Sequence, residues 1–85
     1  MTLIFSSSLM RLHLGSNPVR LIRAGAFKGL QFVTFLNLAR CQIETLEIGA
    51  FEGMESLREL RLEGNRLNYL HGSSLFPPEL THVEV

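Results

Sequence analysis

The chain has 85 residues, of which 46% are hydrophobic and 19% are charged, so it is long enough for one small domain and too apolar for a disordered segment. Eight basic and eight acidic residues give a net charge of zero, which removes the main electrostatic argument for nucleic acid or an anionic membrane as a partner. The single cysteine, Cys41, cannot form an internal disulfide, and no apolar run reaches the roughly 18–20 residues of a membrane span.

The N-terminal residues 1–8 follow no strong pattern. Leu3, Ile4 and Phe5 form an apolar patch with no basic residue before it, which makes a poor signal peptide. The patch fits the remnant of an incomplete repeat, a cover over the core that follows, or a loosely ordered tail. The sequence alone leaves these three interpretations open.

Apolar residues recur in register with periods of 24, 24 and 23 residues, which divides the chain into repeats 9–32, 33–56 and 57–79 and a partial repeat 80–85. The most regular copy reads LRELRLEGNRLNYL and begins at residue 57. Its apolar spacing fits neither a sustained helix nor a long strand. It alternates briefly, turns at Glu-Gly-Asn, and resumes with apolar residues that must point back into the same core.

Each repeat is predicted to contain a short strand, at Leu12–Leu14, Leu36–Leu38 and Leu60–Leu62. Such a strand is not stable alone, but parallel strands of neighbouring repeats supply a hydrogen-bond ladder on both sides. We expect the leucines to face one continuous core. Phe27 and Phe51 are predicted to close that core from the opposite side as a stacked aromatic pair.

The position after each strand is held by Asn17, Cys41 or Asn65. We expect the asparagines to be buried amides that satisfy backbone groups where the chain leaves the ladder. We interpret Cys41 as a small buried group with a weak donor that replaces asparagine at this position. The alternative interpretation is a reactive thiol. In the third repeat, the count from the strand places Leu75 in the aromatic core position, with Phe76 as the alternative.

These positions follow the pattern LxxLxLxxNxLxxLxxxxFxxLxx, and the chain resembles the leucine-rich repeat family over residues 9–85. The resemblance implies an α/β solenoid, a right-handed superhelix with short parallel strands on its concave face and irregular or short-helical return segments. It also implies protein recognition, in members that are usually secreted or cell-surface receptors. The Gly-Ala-Phe sequences at 25–27 and 49–51 are typical of extracellular members. A cytoplasmic location stays open because the chain has no convincing signal peptide.

Candidate binding residues flank the strand leucines and lie on the outer, concave face. Neighbours on adjacent strands stand about 5 Å apart, and mixed charged, polar and aromatic side chains suit recognition of a protein surface. Phe35 is the sharpest candidate, since an exposed ring invites a partner; otherwise it covers neighbouring side chains. Arg61 is expected to form a cross-strand charge pair with Glu84 and Glu59. The first predicted row is Arg11, Phe35, Glu59 and His82, the second is His13, Asn37, Arg61 and Glu84, and Arg40 and Glu63 follow their strands.

No pattern in the sequence indicates catalysis, a metal or a cofactor. His13, His71 and His82 fall in separate repeats without ligand spacing, and no phosphate loop, GxSxG, HExxH or paired CxxC occurs. We therefore expect a non-catalytic protein-binding module, a fragment of a longer secreted or receptor-like protein. A structural segment that stacks end to end with another solenoid is the alternative, because both ends expose apolar core and strand edges. An enzyme would need convergent titratable groups.

Overall fold

The computed structural model describes residues 10–68, 76–77 and 80–85, so the predicted N-terminal segment 1–8 lies outside the described residues. Among the described residues there is no helix, and hence none long and apolar enough to cross a membrane. The chain there forms six short strands: β1 (Met10–His13), β2 (Leu21–Ile22), β3 (Val33–Asn37), β4 (Thr45–Leu46), β5 (Glu59–Arg61) and β6 (His82–Glu84).

The strands form two parallel sheets, one with the order β1-β3-β5-β6 and one that pairs β2 with β4. Facing residues come from equivalent places in consecutive repeats. Arg11 pairs with Phe35, Phe35 with Glu59, and Glu59 with His82. This pairing confirms the register predicted from the leucine spacing. It also explains the parallel direction, because each repeat enters the sheet at the same point of its sequence.

The ends of the strands differ from the prediction. Leu14, Leu38 and Leu62 lie just beyond their strands, yet their N–H groups still donate to carbonyls of the following repeat at 2.7–2.9 Å. β1 and β3 begin earlier than predicted, at the buried residues Met10 and Val33. The ladder is therefore longer than the leucine pairs alone suggested.

Aromatic rings close the core opposite the four-stranded sheet. Phe27 and Phe51 stack with their ring centroids 5.8 Å apart and their planes 3° from parallel, which confirms the predicted pair. Phe76 continues the stack, with its centroid 5.9 Å from that of Phe51. The count that favoured Leu75 is therefore wrong, and Leu75 itself lies outside the described residues. A phenylalanine ring buries more apolar surface than leucine and stacks on the neighbouring ring. This gain outweighs the shift of one residue from the position that the count predicted.

The return segments of the first two repeats are successions of tight turns. Of the two forms that were expected, irregular and short-helical, these segments have the irregular one. In the first repeat, the N–H groups of Ala26, Lys28 and Leu30 each donate to the carbonyl three residues earlier, and the second repeat repeats the series. Gly25 and Gly49 have φ of 75° and 87°, a left-handed backbone that glycine adopts without steric cost. The Gly25 N–H donates to the Gly49 carbonyl at 2.9 Å, which ties the two segments together.

Candidate protein-binding face

The outer face of the four-stranded sheet carries the predicted rows. Strand alternation turns Leu12, Leu36 and Leu60 into the core, where they are buried, and leaves their neighbours on the opposite side. The geometry of both rows is confirmed by the strand pairing, whereas the binding role of their residues stays a prediction. The rows are Arg11, Phe35, Glu59 and His82, and His13, Asn37, Arg61 and Glu84.

Phe35 is not the exposed ring that was expected. Only 5% of its surface is accessible to solvent. The guanidinium carbon of Arg11 lies 4.0 Å from its ring centroid, and the imidazole centroid of His13 lies 5.1 Å away with the planes tilted by 42°. A cation over an aromatic face contributes about 0.5–1 kcal/mol at exposed sites. Phe35 therefore anchors both side chains, because Arg11 is its partner in the strand register and His13 lies diagonally from it, opposite Asn37.

Arg61 pairs within its own segment and not across strands as expected. It forms an ion pair with Glu63, and its Nε donates to the second carboxylate oxygen at 3.4 Å. Glu84 is instead hydrogen-bonded to His82 at 2.9 Å. Residues two apart in extended chain point to the same side, which brings both pairs within reach.

The pair between Arg61 and Glu63 changes the acidity of both groups. The hydrogen bond that Arg61 donates to Glu63 raises the pKa of Arg61, with smaller contributions from the charges of Glu84 and Glu59. The same hydrogen bond lowers the pKa of Glu63. Glu84 and Glu59 therefore act on Arg61 through space, although neither forms the contact that the sequence predicted.

Arg40 lies in the turn after β3 and belongs to neither row. Its φ of 55° is left-handed, as are those of the equivalent residues Ser16 (65°) and Gly64 (74°). Its N–H donates to the carbonyl of Glu63 at 2.9 Å. The Ser16 N–H donates to the carbonyl of Ala39 in the same way, so Glu63 is the equivalent of Ala39, one position before the equivalent of Arg40.

Asn65 joins two repeats through the backbone bonds that were predicted for this position, although its side chain is half-buried and not fully buried as expected. Its Oδ1 accepts the N–H groups of Cys41 at 2.8 Å and Ile43 at 3.0 Å. Its Nδ2 donates to the carbonyls of Leu38 at 2.8 Å and Leu62 at 2.7 Å. One side chain thus satisfies four backbone groups where the chain leaves the sheet.

Cys41 takes the place of asparagine in the second repeat, as predicted. It is 0% exposed, and its Sγ lies 3.2 Å from the carbonyl oxygen of Leu14 and 3.6 Å from that of Ala39. Asn17 donates to the carbonyls of Leu14 and Gly15, both in its own repeat, at 2.8 and 3.4 Å. It bonds to backbone as predicted, but it is exposed, so the expectation of a buried amide is wrong there.

Sequence reasoning missed two contacts. Asn37 Oδ1 accepts the N–H of Ala39 at 2.9 Å, so this row residue also stabilises the turn after its strand. Glu47 Oε1 accepts the N–H of Ala24 at 2.9 Å, which joins the first two repeats on the return side. The residue types predict neither contact, because asparagine and glutamate at such positions are equally compatible with solvent.

The face offers charged and polar side chains on an open sheet. Within residues 10–68, 76–77 and 80–85, no group of three or more His, Cys, Asp or Glu residues is placed to hold a metal ion, and His71 lies outside them. His13 and His82 stand on β1 and β6, with two strands between them. Such an arrangement is suited to contacts with another macromolecule.

Two family models match the chain, both described as leucine-rich repeat. One covers residues 7–67 and the other residues 56–83. No solved structure matches at a comparable level of significance. The matches agree with the residues that carry the strand ladder and the buried leucines.

Three curated relatives show the same similarity. Leucine-rich repeat-containing protein 3 of Danio rerio is 46% identical over 57 residues, which is 66% of this chain and 21% of the relative. The human leucine-rich repeats and immunoglobulin-like domains protein 1 is 38% identical over 79 residues, covering 92% of this chain and 7% of the relative. Decorin of Canis lupus familiaris is 34% identical over 71 residues, covering 81% and 19%. The matched region therefore spans only a small part of each of these relatives.

Proposed function

This chain belongs to the leucine-rich repeat family, and we propose that it is a non-catalytic protein-recognition module that binds through the outer face of its four-stranded sheet. The observation that carries the proposal is the alignment of two rows of side chains by the strand register. Apart from Phe35, none of these side chains is buried, and apart from Asn37, which accepts the N–H of Ala39, none is hydrogen-bonded to the backbone of the described residues. They are available to determine which partner is bound.

We infer that the repeats wind into a right-handed solenoid with this face on the concave side. Parallel strands of one sheet that are joined by crossovers follow a right-handed path in about 98% of cases. The crossovers from β1 to β3 and from β3 to β5 run through the core-closing turns. The inference is supported by family membership and by this topology.

We also propose that the module acts within a longer secreted or cell-surface, receptor-like protein. Support comes from relatives such as decorin and from one whose name includes immunoglobulin-like domains. Sequencing the transcript on both sides tests this proposal. A signal peptide upstream and further repeats downstream are expected, and a transcript that encodes these 85 residues alone contradicts it.

The binding proposal is tested by immobilising the chain and probing it with a panel of secreted proteins and receptor ectodomains. For a protein that is retained, we expect Arg61→Ala and Glu84→Ala each to weaken binding by about tenfold, since truncating a charged side chain that the partner contacts and desolvates can cost more than 1 kcal/mol. Gln31→Ala and Glu55→Ala are matched controls, because both residues are exposed in the return segments. Equal retention by the row variants and the controls would rule out this face.

An enzymatic role has less support. Leucine-rich repeat proteins are generally binding modules. The two histidines of the face, His13 and His82, belong to the two outermost strands of the four-stranded sheet, so they do not converge. A hydrolase activity that is abolished by His13→Ala or His82→Ala would revive this hypothesis.

End-to-end stacking with another leucine-rich repeat protein is the second candidate. The observation that favours it is a largely apolar cavity of about 460 Å³ at the first repeat, whose lining includes Leu14, Val19 and Phe27. A terminal repeat of another leucine-rich repeat protein, stacked at this place, would continue the core. We expect Val19→Asp to abolish such association in sedimentation experiments. A concentration-independent monomer with a cooperative thermal transition would contradict it.

A further inference from the structure

Basic side chains on the outer face of the four-stranded sheet are paired within their own segment at two places. Arg61 forms an ion pair with Glu63, and the His82 ring is hydrogen-bonded to Glu84 at 2.9 Å. The two members of each pair are two residues apart, so their side chains point to the same side of an extended chain. The same segment therefore supplies both the basic group and the carboxylate that it contacts.

The equivalent pair on β1 contains no carboxylate. It consists of Arg11 and His13, and both side chains are exposed. His13 stands in the row position that Glu84 holds on β6, so a second nitrogen-bearing side chain replaces the carboxylate there. Arg11 forms an ion pair with none of the residues that the structure describes.

The first half of the chain contains no acidic residue. Residues 1–43 include five of the eight Lys and Arg residues, whereas the first of the eight acidic residues is Glu44. In the row of Arg11 the nearest acidic position is Glu59, two strands away, which is about 10 Å. Salt and water weaken an interaction between exposed charges at this distance, which is about one Debye length. A carboxylate for Arg11 must therefore come from another molecule.

Phe35 positions the Arg11 guanidinium without using its hydrogen-bond donors. The guanidinium carbon lies 4.0 Å from the centroid of this buried ring. A guanidinium that stacks on an aromatic face keeps its N–H groups at its edge, where they are able to bind a planar acceptor. Holding the side chain in place beforehand also reduces the conformational entropy that is lost on binding.

Two further side chains with N–H donors lie beside Arg11. The His13 ring centroid is 5.1 Å from that of Phe35, so both basic side chains contact the same ring. Asn37 stands opposite His13 in the strand register. Its Oδ1 accepts the N–H of Ala39, which leaves the two N–H groups of the amide as donors. We call Arg11, His13 and Asn37 the β1 donor cluster.

We propose that the β1 donor cluster binds a carboxylate side chain of a partner protein, an inference that rests on the protein-binding role proposed above. A guanidinium matches a carboxylate with two parallel hydrogen bonds. The neighbouring imidazole and amide donate to its remaining lone pairs. A single carboxylate suits the cluster better than a polyanion, because Glu59 and Glu84 on β5 and β6 repel an anionic chain that continues across the face.

The first test needs no protein partner. The chain is titrated with acetyl-Gly-Asp-Gly-amide and with acetyl-Gly-Asn-Gly-amide at equal ionic strength, and NMR spectra follow the Arg11 Nε–H and the His13 ring. We expect the aspartate peptide to shift both signals and the asparagine peptide to shift neither, because only the carboxylate forms the charged pair. Equal effects of the two peptides, or no shift at millimolar concentration, overturn the proposal.

The second test uses a protein that is retained in the binding experiment described above. Arg11→Gln weakens its binding by about tenfold to a hundredfold, since a hydrogen bond to a charged group is lost. Arg11→Lys restores only part of the affinity, because an ammonium group lacks the planar fork. Arg23→Gln is the matched control, an exposed arginine of the same repeat that follows β2. Equal binding by R11Q and the control overturns the proposal.

Phe35→Leu tests the positioning role of the aromatic ring. Leucine keeps an apolar side chain but removes the aromatic face, so the ring-current shift of the Arg11 side-chain protons disappears. Binding of the aspartate peptide weakens by about threefold, as expected for the loss of a cation over an aromatic ring. Circular dichroism checks that the variant is folded. Unchanged affinity after loss of the ring-current shift overturns the role of Phe35 in positioning Arg11.

Further outcomes distinguish this inference from the proposed function. If Arg61→Ala and Glu84→Ala weaken protein binding whereas Arg11→Gln does not, the face binds protein without the cluster, and only the inference fails. If the aspartate peptide shifts both signals but no protein is retained, the carboxylate site is supported and the protein-binding function is contradicted. Retention on heparin that is lost in R11Q assigns the cluster to a sulfated polysaccharide and overturns the inference. Self-association that is lost in both R11Q and E84Q assigns the carboxylate to a second copy of this chain and also overturns it.

Discussion

Asn65 and Asn17 occupy the same place in two repeats, yet only one of them holds repeats together. Asn65 satisfies four backbone groups, three of which belong to the preceding repeat. Asn17 bonds only to Leu14 and Gly15 of its own repeat. The described residues include no earlier repeat beside Asn17. The difference shows that the asparagine at this position bonds mainly to the preceding repeat. Its contribution to stability therefore depends on whether a preceding repeat lies beside it, and not on the residue type.

Cys41 is intermediate between Asn65 and Asn17 in its bonding to the preceding repeat. It reaches back to Leu14 of the first repeat, as Asn65 reaches back to the second, but with one weak donor in place of an amide. A thiol has no acceptor comparable to Oδ1. Backbone N–H groups near it must therefore find other partners, and the Val19 N–H donates to the carbonyl of Cys41 at 2.7 Å. A small buried group is sufficient where the backbone itself completes the ladder.

Of the substitutions that test this comparison, Asn65→Ala is expected to lower the stability of the protein most. It removes the partners of two N–H groups and two carbonyls in a partly buried turn, which lowers the free energy of unfolding by about 2–4 kcal/mol. Urea denaturation monitored by circular dichroism measures the change. Asn17→Ala is the matched control, and we expect a loss below about 0.5 kcal/mol for this exposed side chain. Equal losses would contradict the distinction between the two positions.

Cys41→Ala is expected to have an intermediate effect. It removes a fully buried sulfur atom together with its contact to the Leu14 carbonyl, for a loss of about 1–2 kcal/mol in the free energy of unfolding. Cys41→Ser keeps a donor of similar size and separates the polar contact from the apolar packing. If serine is no better than alanine, the hydrogen bond contributes nothing measurable and packing alone accounts for the residue.

Gly64→Ala tests the turn directly before Asn65, where the backbone is left-handed. With φ of 74°, alanine is strained there by about 1–2 kcal/mol. An added Cβ would also lie 2.7 Å from Cγ of Arg40, a flexible side-chain carbon that is able to move. Repeating the substitution in an Arg40→Gly background removes that clash and leaves the backbone strain. A loss of stability that disappears in this background would assign the effect to the clash instead.

The ion pair of Glu63 with Arg61 is expected to have the smallest effect on stability, and the loss of its contribution is seen only in acid. The hydrogen bond from Arg61 lowers the pKa of Glu63, so its contribution to stability is complete above the ordinary glutamate pKa of about 4.3 and is lost as the pH falls through the lowered value. NMR titration of the Glu63 carboxyl group measures the shift. Arg61→Gln should return the midpoint toward the ordinary value, and an unchanged midpoint would show that Arg61 is not the cause.

The strand ladder and the core were largely predictable, whereas the contacts of the outer face were not. The spacing of Leu12, Leu36 and Leu60 identified the strand register, because only that register buries all three. The burial of Phe35 depends on the rotamers of Arg11 and His13, which the sequence does not encode locally. The choice of Glu63 over Glu84 as partner of Arg61 likewise depends on distances between side chains that are all compatible with the same register.

The sequence by itself determined the repeating register of this protein and the residues that fill its core, since burial of periodic apolar side chains admits few arrangements. Only the tertiary structure decided how polar groups are used. Asn17 and Asn65 are the same residue at equivalent positions, and their hydrogen bonds differ because only Asn65 has an earlier repeat beside it within the described residues. Hydrogen bonds are short and directional, so they depend on the packed neighbour, whereas apolar burial depends mainly on position in the repeat.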